Sequence, residues 1–389
     1  MIETRYLIVG GGLTGDAACR GIVEVDPDPD AVLLVSAEYH PPYARPPLSK
    51  ALWRDRDESP IWRLTANLGV HERLGRRIVA LDLDARTAAD DRGDVYTYEK
   101  LLLATGGRPR RLPFGGGKVI YFRTLDDYHR LRRLADAGAR VVVIGGGFIG
   151  SEIAAALASS AIPVTMVFPE PGIGARIFPA AISAALNDHY REHGINVIPG
   201  VSVTGVERRR VALADGRTLK ADAIVAGLGI EPNVELASSA GLRVDNGIVV
   251  DAFGRAGRED VFAAGDVTRY PDAVLRSERR VEHEDHAKSH GRAVGANMAG
   301  AAKPYDHLPF FYSDLFELGY EAVGELDPRL ETLSDVDDLG GKGTIYYLDA
   351  ERRPRGVLLW NRFGEVDAAR ELIRAGEPVG RSTFVGRPR

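Results

Sequence analysis

Short apolar runs alternate with helical patterns along the first half of the chain. Tyr6–Val9 is an apolar run, followed by the glycine-rich turn GGGLTG at residues 10 to 15 and an alanine-rich helical stretch. The order repeats at Val141–Ile144, GGGFIG at 145 to 150 and SEIAAALA. Further apolar runs at Ala31–Val35 and Pro163–Phe168 each read as the next strand of a strand–helix–strand unit. Strands alternating with helices predict parallel sheets covered by helices. TYEKLLLATGGRPR (97 to 110), DAIVAGLGIEPN (222 to 233) and DVFAAGDV (260 to 267) are apolar strands that end in glycine-containing turns. The first two read as crossings between domains. After about residue 308 the pattern changes. FELGYEAVGEL and GTIYYLDAERRPRGVLLWN predict antiparallel strands, with a hairpin near Ala350–Pro354, and DAARELIRAG (367 to 376) predicts a closing helix. The polar, glycine-rich tail after Pro378 is expected to be loose.

The two turns carry chemistry as well as structure. Each places glycines at the first, third and sixth positions: Gly10, Gly12 and Gly15, then Gly145, Gly147 and Gly150. This spacing permits a tight turn, close approach of backbone to a pyrophosphate, and helix–strand packing. Unpaired N–H groups at the helix start then face the phosphates. Alone, such a turn is weak evidence. Two copies 135 residues apart, each after a strand and before a helix, are much stronger. Each also has an acid at a distance suited to a ribose: Glu38 lies 23 residues past Gly15, and Glu170 lies 20 past Gly150. Either acid taken singly reads equally well as a solvated loop charge. Two dinucleotide sites in one chain point to hydride exchange between a tightly held FAD and an exchangeable nicotinamide. Gly265-Asp266 ends a buried strand, which puts a carboxylate at the sheet edge where ligands bind. Asp266 is suited to bond a ribityl hydroxyl; a helix N-cap is the alternative reading.

Composition narrows the class. The 389 residues are ample for two or three domains, with 44% hydrophobic and 27% charged residues. A net charge of −5 lacks the basic excess of a nucleic-acid binder. No run approaches the ~20 apolar residues of a membrane span. The first strand begins by Tyr6, leaving no room for a targeting segment, so a cytoplasmic location is expected. The single cysteine, Cys19, lies among alanines on the first helix and reads as a buried structural thiol. His283 and His286 in VEHEDH raise the idea of zinc, but no further ligand cluster is evident in the sequence, and no metal is expected.

PPYARPPLSK (41 to 50), the two GGGxxG turns, ATGGRPR, GLGIEPN, AAGD and RRVEHEDHA together resemble the FAD-dependent pyridine-nucleotide oxidoreductases of the ferredoxin and rubredoxin reductase type. FPEPGIGARIFP, ANMAGAAKPY, GYEAVGEL and VLLWNRFGEVDAAREL look like the apoptosis-inducing-factor branch. The resemblance runs from about Tyr6 to Ile373. It implies a glutathione-reductase-like α/β fold: two Rossmann-type dinucleotide-binding domains plus a C-terminal α+β interface domain. The implied divisions are an FAD domain at 1–118 and 247–307, an NAD(H) domain at 119–246, and an interface domain at 308–389.

Carried over motif by motif, the resemblance implies an FAD site of Gly10, Gly12, Gly15, Glu38, Arg45, Lys50, Arg123, Gly265, Asp266 and His283. The implied NAD site comprises Gly145, Gly147, Phe148, Ile149, Gly150, Glu152, Glu170, Arg176, Gly229, Glu282, Tyr312, Glu321 and Asn361. Lys50 and Glu152 are the implied catalytic pair, with Lys50 at the flavin N5 edge. Phe148 either covers the nicotinamide slot or simply packs at the helix start. The helix from about His283 to Met298 is expected to aim its N-terminus at the flavin pyrimidine edge. Tyr312 stands where the family often has tryptophan, and a short linker, Glu331–Gly341, replaces the long insertion of the apoptotic proteins. Disulfide reductases carry two cysteines where this chain has PPYARPPLSK. The expected function is therefore NADH oxidation through FAD, hydride passing from nicotinamide C4 to flavin N5, with electrons leaving directly to an external ferredoxin-like iron–sulfur protein. Glu170 favours NADH over NADPH, and Arg176 softens that preference. The alternative is a slow NADH-sensing flavoprotein that forms a charge-transfer complex and changes oligomeric state. A homodimer is a further family expectation; nucleic acid and membrane are not expected partners.

Overall fold

A computed structural model describes residues 1–380, so the tail beyond Pro378 falls mostly outside the described residues. The chain divides into two compact units, one of 1–44, 58–108 and 231–309, the other of 45–57, 109–230 and 310 onward.

The first unit is built on a mainly parallel sheet. Its strands lie in the order Arg255–Arg258, Val261–Ala263, Val95–Leu103, Ile2–Val9, Val32–Ser36, His71–Leu74, and the hairpin Ile78–Asp82/Thr87–Asp90 continues antiparallel from Val95–Leu103. Val9 pairs with both Val35 and Leu103, so the three central strands end together beside Gly10. Val32–Ser36, Val261–Ala263 and the last residues of Ile2–Val9 and Val95–Leu103 are buried on both faces, as the unbroken apolar runs predict. Two helices, Leu13–Val25 and Glu284–Met298, cross at backbone contact. A Cβ on Gly295 would lie 2.2 Å from the Ala18 carbonyl oxygen, and one on Gly21 would lie 2.1 Å from that of Arg292. Glycine at these positions sets the interhelix distance.

Buried polar groups fix the same helices from within. Asp16, fully buried, accepts hydrogen bonds from Arg20, Arg63 and Thr65. His290 Nδ1 accepts from the Gly265 backbone N–H at 3.2 Å. An acceptor Nδ1 requires the proton on Nε2 and a neutral ring. His286 stacks on Tyr270 (4.8 Å, 19°) and on His290 (4.8 Å, 28°).

The second unit contains a five-stranded parallel sheet in the order Asn196–Ile198, Val164–Val167, Val141–Ile144, Ala223–Ala226, Val119–Tyr121. It also holds an antiparallel three-stranded sheet, 203–220. Its second layer is the antiparallel sheet Phe310–Leu315, Leu318–Gly324, Pro354–Trp360, Gly343–Leu348, Glu331–Ser334, closed by the helix Val366–Ala375. The Phe178 ring wedges edge-on against Tyr320 (5.2 Å) and Trp360 (5.6 Å), joining that sheet to the loop after Val164–Val167.

The segment after PPYARP forms two short turns. Pro46–Ser49 is a 3₁₀ turn, and the α-helix is one turn only, Ala51–Arg54. Two consecutive prolines cannot supply N–H groups to a helix, and Lys50 breaks the two turns apart at φ −131°, ψ −99°. Tertiary hydrogen bonds hold it instead: Trp53 Nε1 donates to the Leu48 carbonyl, and Tyr128 Oη to that of Leu52.

Burial pushes the pKa of His290 down to about 3 and that of His286 well below the usual imidazole range, in the latter with added repulsion from His290 and His283. Unfolding therefore takes up protons between about pH 6.5 and 3, so stability is full above 6.5 and is lost on acidification through that window. By pH 5 His290 is expected to cost about 2 kcal/mol relative to pH 7.5, with His286 acting in the same direction. Urea unfolding at the two pH values measures this, and His290→Gln is expected to flatten the dependence by one histidine's share.

Candidate functional site

In the first unit the glycine turn forms where three strands end. A Cβ on Gly10 would lie 2.2 Å from the Ala104 carbonyl oxygen, and one on Gly15 would lie 2.1 Å from that of Gly10. A Cβ on Gly12 would meet nothing within 4 Å. The first and third glycines are thus required by the protein's own packing, whereas the second presents bare backbone outward. In the second unit Gly145 and Gly150 are likewise closed, by Gly227 (2.3 Å) and Gly145 (2.0 Å), and Gly147 is likewise open. Both turns fit a pyrophosphate crossing the helix start.

The acids lie as the spacing predicts. Glu38 follows the strand Val32–Ser36 and accepts a hydrogen bond from Tyr43 Oη at 2.6 Å. Glu170 follows Val164–Val167 and is bound through Oε1 by Arg176 (Nη2, 2.7 Å), whose side chain is mostly exposed. The Gly174 N–H donates to the Gly146 carbonyl, tying the Glu170–Arg176 loop to the glycine turn. Gly265 sits hard against Thr14 in the first turn, which brings Asp266 to that edge. Desolvation, reinforced by Arg279, pushes His283 down to about 3, so the residue before the helix Glu284–Met298 is neutral. Glu282 pairs with Arg280.

The FAD residues implied by resemblance are distributed over both units in sequence. The glycine turn, Glu38, Gly265, Asp266 and His283 belong to the first; Arg45, Lys50 and Arg123 belong to the second. Arg45 Nη1 donates to the Arg123 carbonyl at 3.0 Å.

The Glu152 site lies wholly within the second unit. Glu152 is 5% exposed, on the helix that begins the GGGFIG turn. Its Oε1 accepts from Lys50 Nζ at 2.5 Å and Ser313 Oγ at 2.6 Å; its Oε2 accepts from Ser49 Oγ at 2.5 Å. Lys50 also lies 5.2 Å from the Tyr312 ring centre, in cation–π range. Three distant chain segments thus converge on one carboxylate. Phe148, at the first position of the same helix, meets Phe311 edge-on at 5.3 Å. Phe148, Ile149 and Tyr312 are each 37 to 38% exposed.

Other implied NAD residues serve the scaffold. The Gly229 carbonyl accepts from Arg110 N. Glu321 Oε2 accepts from the Gly364 N–H, and Asn361 spends its carboxamide on Leu339, Gly341 and Gly319 backbone groups. Sequence reasoning missed Ser49, Ser313, Tyr43 and His290. Ser49 had a signal, its place beside Lys50. Ser313 had none, since its partner is 161 residues away.

Cys19 is fully buried, and burial, reinforced by Asp16, pushes its thiol well above the usual range. As the chain's single cysteine it can form no internal disulfide. Among the described residues no helix is long and apolar enough to cross a membrane.

Comparison with known proteins accounts for these features. The model of the pyridine nucleotide-disulphide oxidoreductase family matches residues 4–291, and that of the apoptosis-inducing factor C-terminal region matches 294–338. The chain is 34% identical over 418 residues to apoptosis-inducing factor 1, mitochondrial, of Dictyostelium discoideum, covering 95% of this chain and 78% of that protein. It is 33% identical over 390 residues to the ferredoxin–NAD(+) reductase component of the anthranilate 1,2-dioxygenase system of Burkholderia cepacia, covering 97% and 95%. Among solved structures, ferredoxin reductase from Rhodopseudomonas palustris superposes with a TM-score of 0.89 at 30% identity, covering 96% and 95%. Putidaredoxin reductase in covalent complex with putidaredoxin gives 0.90 at 30% identity, covering 98% and 95%. The glutathione-reductase-like fold expected from the sequence is borne out by these matches. The chain belongs to the pyridine nucleotide-disulphide oxidoreductase family and is an FAD-dependent, NAD(P)H-using oxidoreductase of the ferredoxin reductase type.

Proposed function

We propose that this protein oxidises NADH and delivers the electrons directly to a ferredoxin-type iron–sulfur protein. The carrying observation is the lone, buried Cys19: no dithiol is available to relay electrons. When bound, FAD supplies an acceptor for the nicotinamide hydride and returns electrons singly. In the first unit the turn at 10–15, Glu38 and Asp266 would hold its pyrophosphate and sugar portions, and Arg45 and Arg123 of the second unit are proposed as further FAD-binding residues. The turn at 145–150 binds the nicotinamide dinucleotide, with Glu170 accepting from the ribose 2′-hydroxyl and repelling a 2′-phosphate. In this reading residues 1–118 and 247–307 are the FAD domain, 119–246 the NAD(H) domain and 308 onward the interface domain.

Lys50 is the catalytic cation and Glu152 its anchor. Ser49 and Ser313 are positioning residues: they occupy the carboxylate lone pairs that Lys50 leaves, so that Glu152 holds the ammonium in one place. A fixed positive charge favours the electron-rich state electrostatically without reorganising during transfer.

A second reading is supported by the C-terminal match at 294–338. In it, the chain is an NADH sensor of the apoptosis-inducing-factor kind, with slow reduction coupled to assembly.

Anaerobic stopped-flow mixing separates the two readings. Rapid bleaching by NADH, followed by cytochrome c reduction that depends on added ferredoxin, is expected. Slow bleaching with a persistent long-wavelength band supports the sensor. Reduction of monodehydroascorbate in preference to ferredoxin overturns the proposed acceptor, a relevant outcome because monodehydroascorbate reductase 3 of Arabidopsis thaliana is 35% identical over 389 residues. In the same assay Lys50→Ala is expected to slow bleaching by roughly 100-fold, and Ser313→Ala by a smaller factor; an unchanged rate for Lys50→Ala removes its catalytic role. NADH is expected to exceed NADPH in kcat/KM, and Glu170→Ala to reduce that ratio roughly tenfold, or about 1.4 kcal/mol. Equal discrimination in the variant would clear Glu170 of the role.

A further inference from the structure

One cluster of metal-ligating side chains lies apart from the Glu152 network. His189 and His193 are four residues apart at the C-terminal end of the helix Ala180–Glu192, in the sequence HYREH. A four-residue spacing puts both imidazoles on one helix face, and their ring centres are 4.5 Å apart. The two-residue turn Phe316-Glu317, between the strands Phe310–Leu315 and Leu318–Gly324, brings a carboxylate to them. Glu317 Oε1 lies 3.5 Å from His189 Nε2, and Oε2 lies 3.2 Å from His193 Nε2. One ligand atom from each residue falls within 4.8 Å of the others.

The outer nitrogens of both rings are oriented toward Glu317. His193 Nδ1 lies 2.9 Å from the His189 backbone carbonyl, which can only accept, so Nδ1 carries a proton. In the neutral ring Nε2 is then a lone pair directed at a carboxylate oxygen. His189 Nε2 is buried and makes no hydrogen bond. His189 Nε2, His193 Nε2 and the Glu317 carboxylate thus converge on one point, with His189 Nε2 making no hydrogen bond there. A backbone carbonyl fixing the far nitrogen is also the usual support of a metal-bound imidazole.

We infer that His189, His193 and Glu317 form a site for a divalent transition-metal ion of the zinc class. Two nitrogens and one carboxylate suit zinc better than magnesium or calcium, which take oxygen ligands. Ligand atoms on a tetrahedral zinc lie about 3.3 Å apart. Here each imidazole meets a different Glu317 oxygen, at 3.5 and 3.2 Å, and the ligand atoms lie within 4.8 Å of one another, so a small closing movement brings them to one ion. A fourth position remains for water or an anion. His189 and Glu317 also line a cavity of about 430 Å³ with Lys342, Asn361 and Phe363, and Lys342 favours an anionic ligand there.

The turn is shaped for the task. Phe316 holds φ at +63°, unfavourable for a non-glycine residue. Its ring stacks on His193 at 3.9 Å and packs edge-on against Tyr190 at 5.1 Å. A bound ion ties this turn to the helix, and the strand entering the turn carries Tyr312 and Ser313. The site thus provides a means of stiffening one wall of the Lys50–Glu152 network.

The test is zinc binding to the tag-free, FAD-loaded full chain, by equilibrium dialysis against zinc chloride in a non-chelating buffer. One equivalent is expected in the wild type. Glu317→Gln is expected to weaken binding at least tenfold, and the His189→Ala/His193→Ala double variant to abolish it. Unchanged flavin absorbance and circular dichroism verify folding. Cobalt(II) in place of zinc is expected to give a visible ligand-field band that the double variant lacks. No bound zinc in the wild type, or binding reduced less than threefold in the double variant, overturns the assignment.

Discussion

The buried carboxylate of Glu152 is the constraint around which the second unit is organised. A buried ion is costly unless its lone pairs are filled. Here a lysine and two serines fill them, drawn from the segment 45–57 and the strand Phe310–Leu315, each far from residue 152 in sequence. The dinucleotide turn, the proline-rich segment and the C-terminal sheet must all be correctly placed before the charge is satisfied. Leaving one member out would strand the others. The network therefore couples local folding to the placement of the Lys50 ammonium.

The two glycine turns illustrate a division of labour within one motif. Their first and third glycines answer to the protein's own backbone, which approaches to about van der Waals contact or closer than any side chain allows. Their middle glycines have no protein atom within 4 Å of an added Cβ. Both copies share this pattern. The same economy governs the helix crossing at Gly21 and Gly295, where glycines bring one helix against the next and leave His290 within reach of the Gly265 N–H. Packing there reaches the Gly265-Asp266 turn through a single neutral imidazole.

Family membership and redox route are separate matters. The family name refers to a disulfide, yet this chain has one cysteine, and that thiol is fully buried on its helix. The relatives include ferredoxin reductases, monodehydroascorbate reductases and apoptosis-inducing factors. A common scaffold for reducing the flavin serves different acceptors, so the residues that receive the nicotinamide are more readily recognised than those that choose the acceptor.

What the sequence determined by itself was local or repetitive. Strand–glycine turn–helix units are encoded in contiguous residues, so Val141–Ile144 and the helix after it were legible, as were the Glu38 and Glu170 positions at the strand ends. The Lys50–Glu152 pair was legible through resemblance. The one-turn helix at Ala51–Arg54 was not, because its length is set by the Lys50 backbone break and by tertiary bonds from Trp53 and Tyr128. Ser313 and the His189–His193–Glu317 cluster were decided by tertiary structure alone. Their partners lie more than a hundred residues away, and a serine in a strand or a histidine on a helix has no local pattern that announces such a meeting. Periodicity reports which face of an element is buried; only the packed fold reports which other element's side chain arrives there.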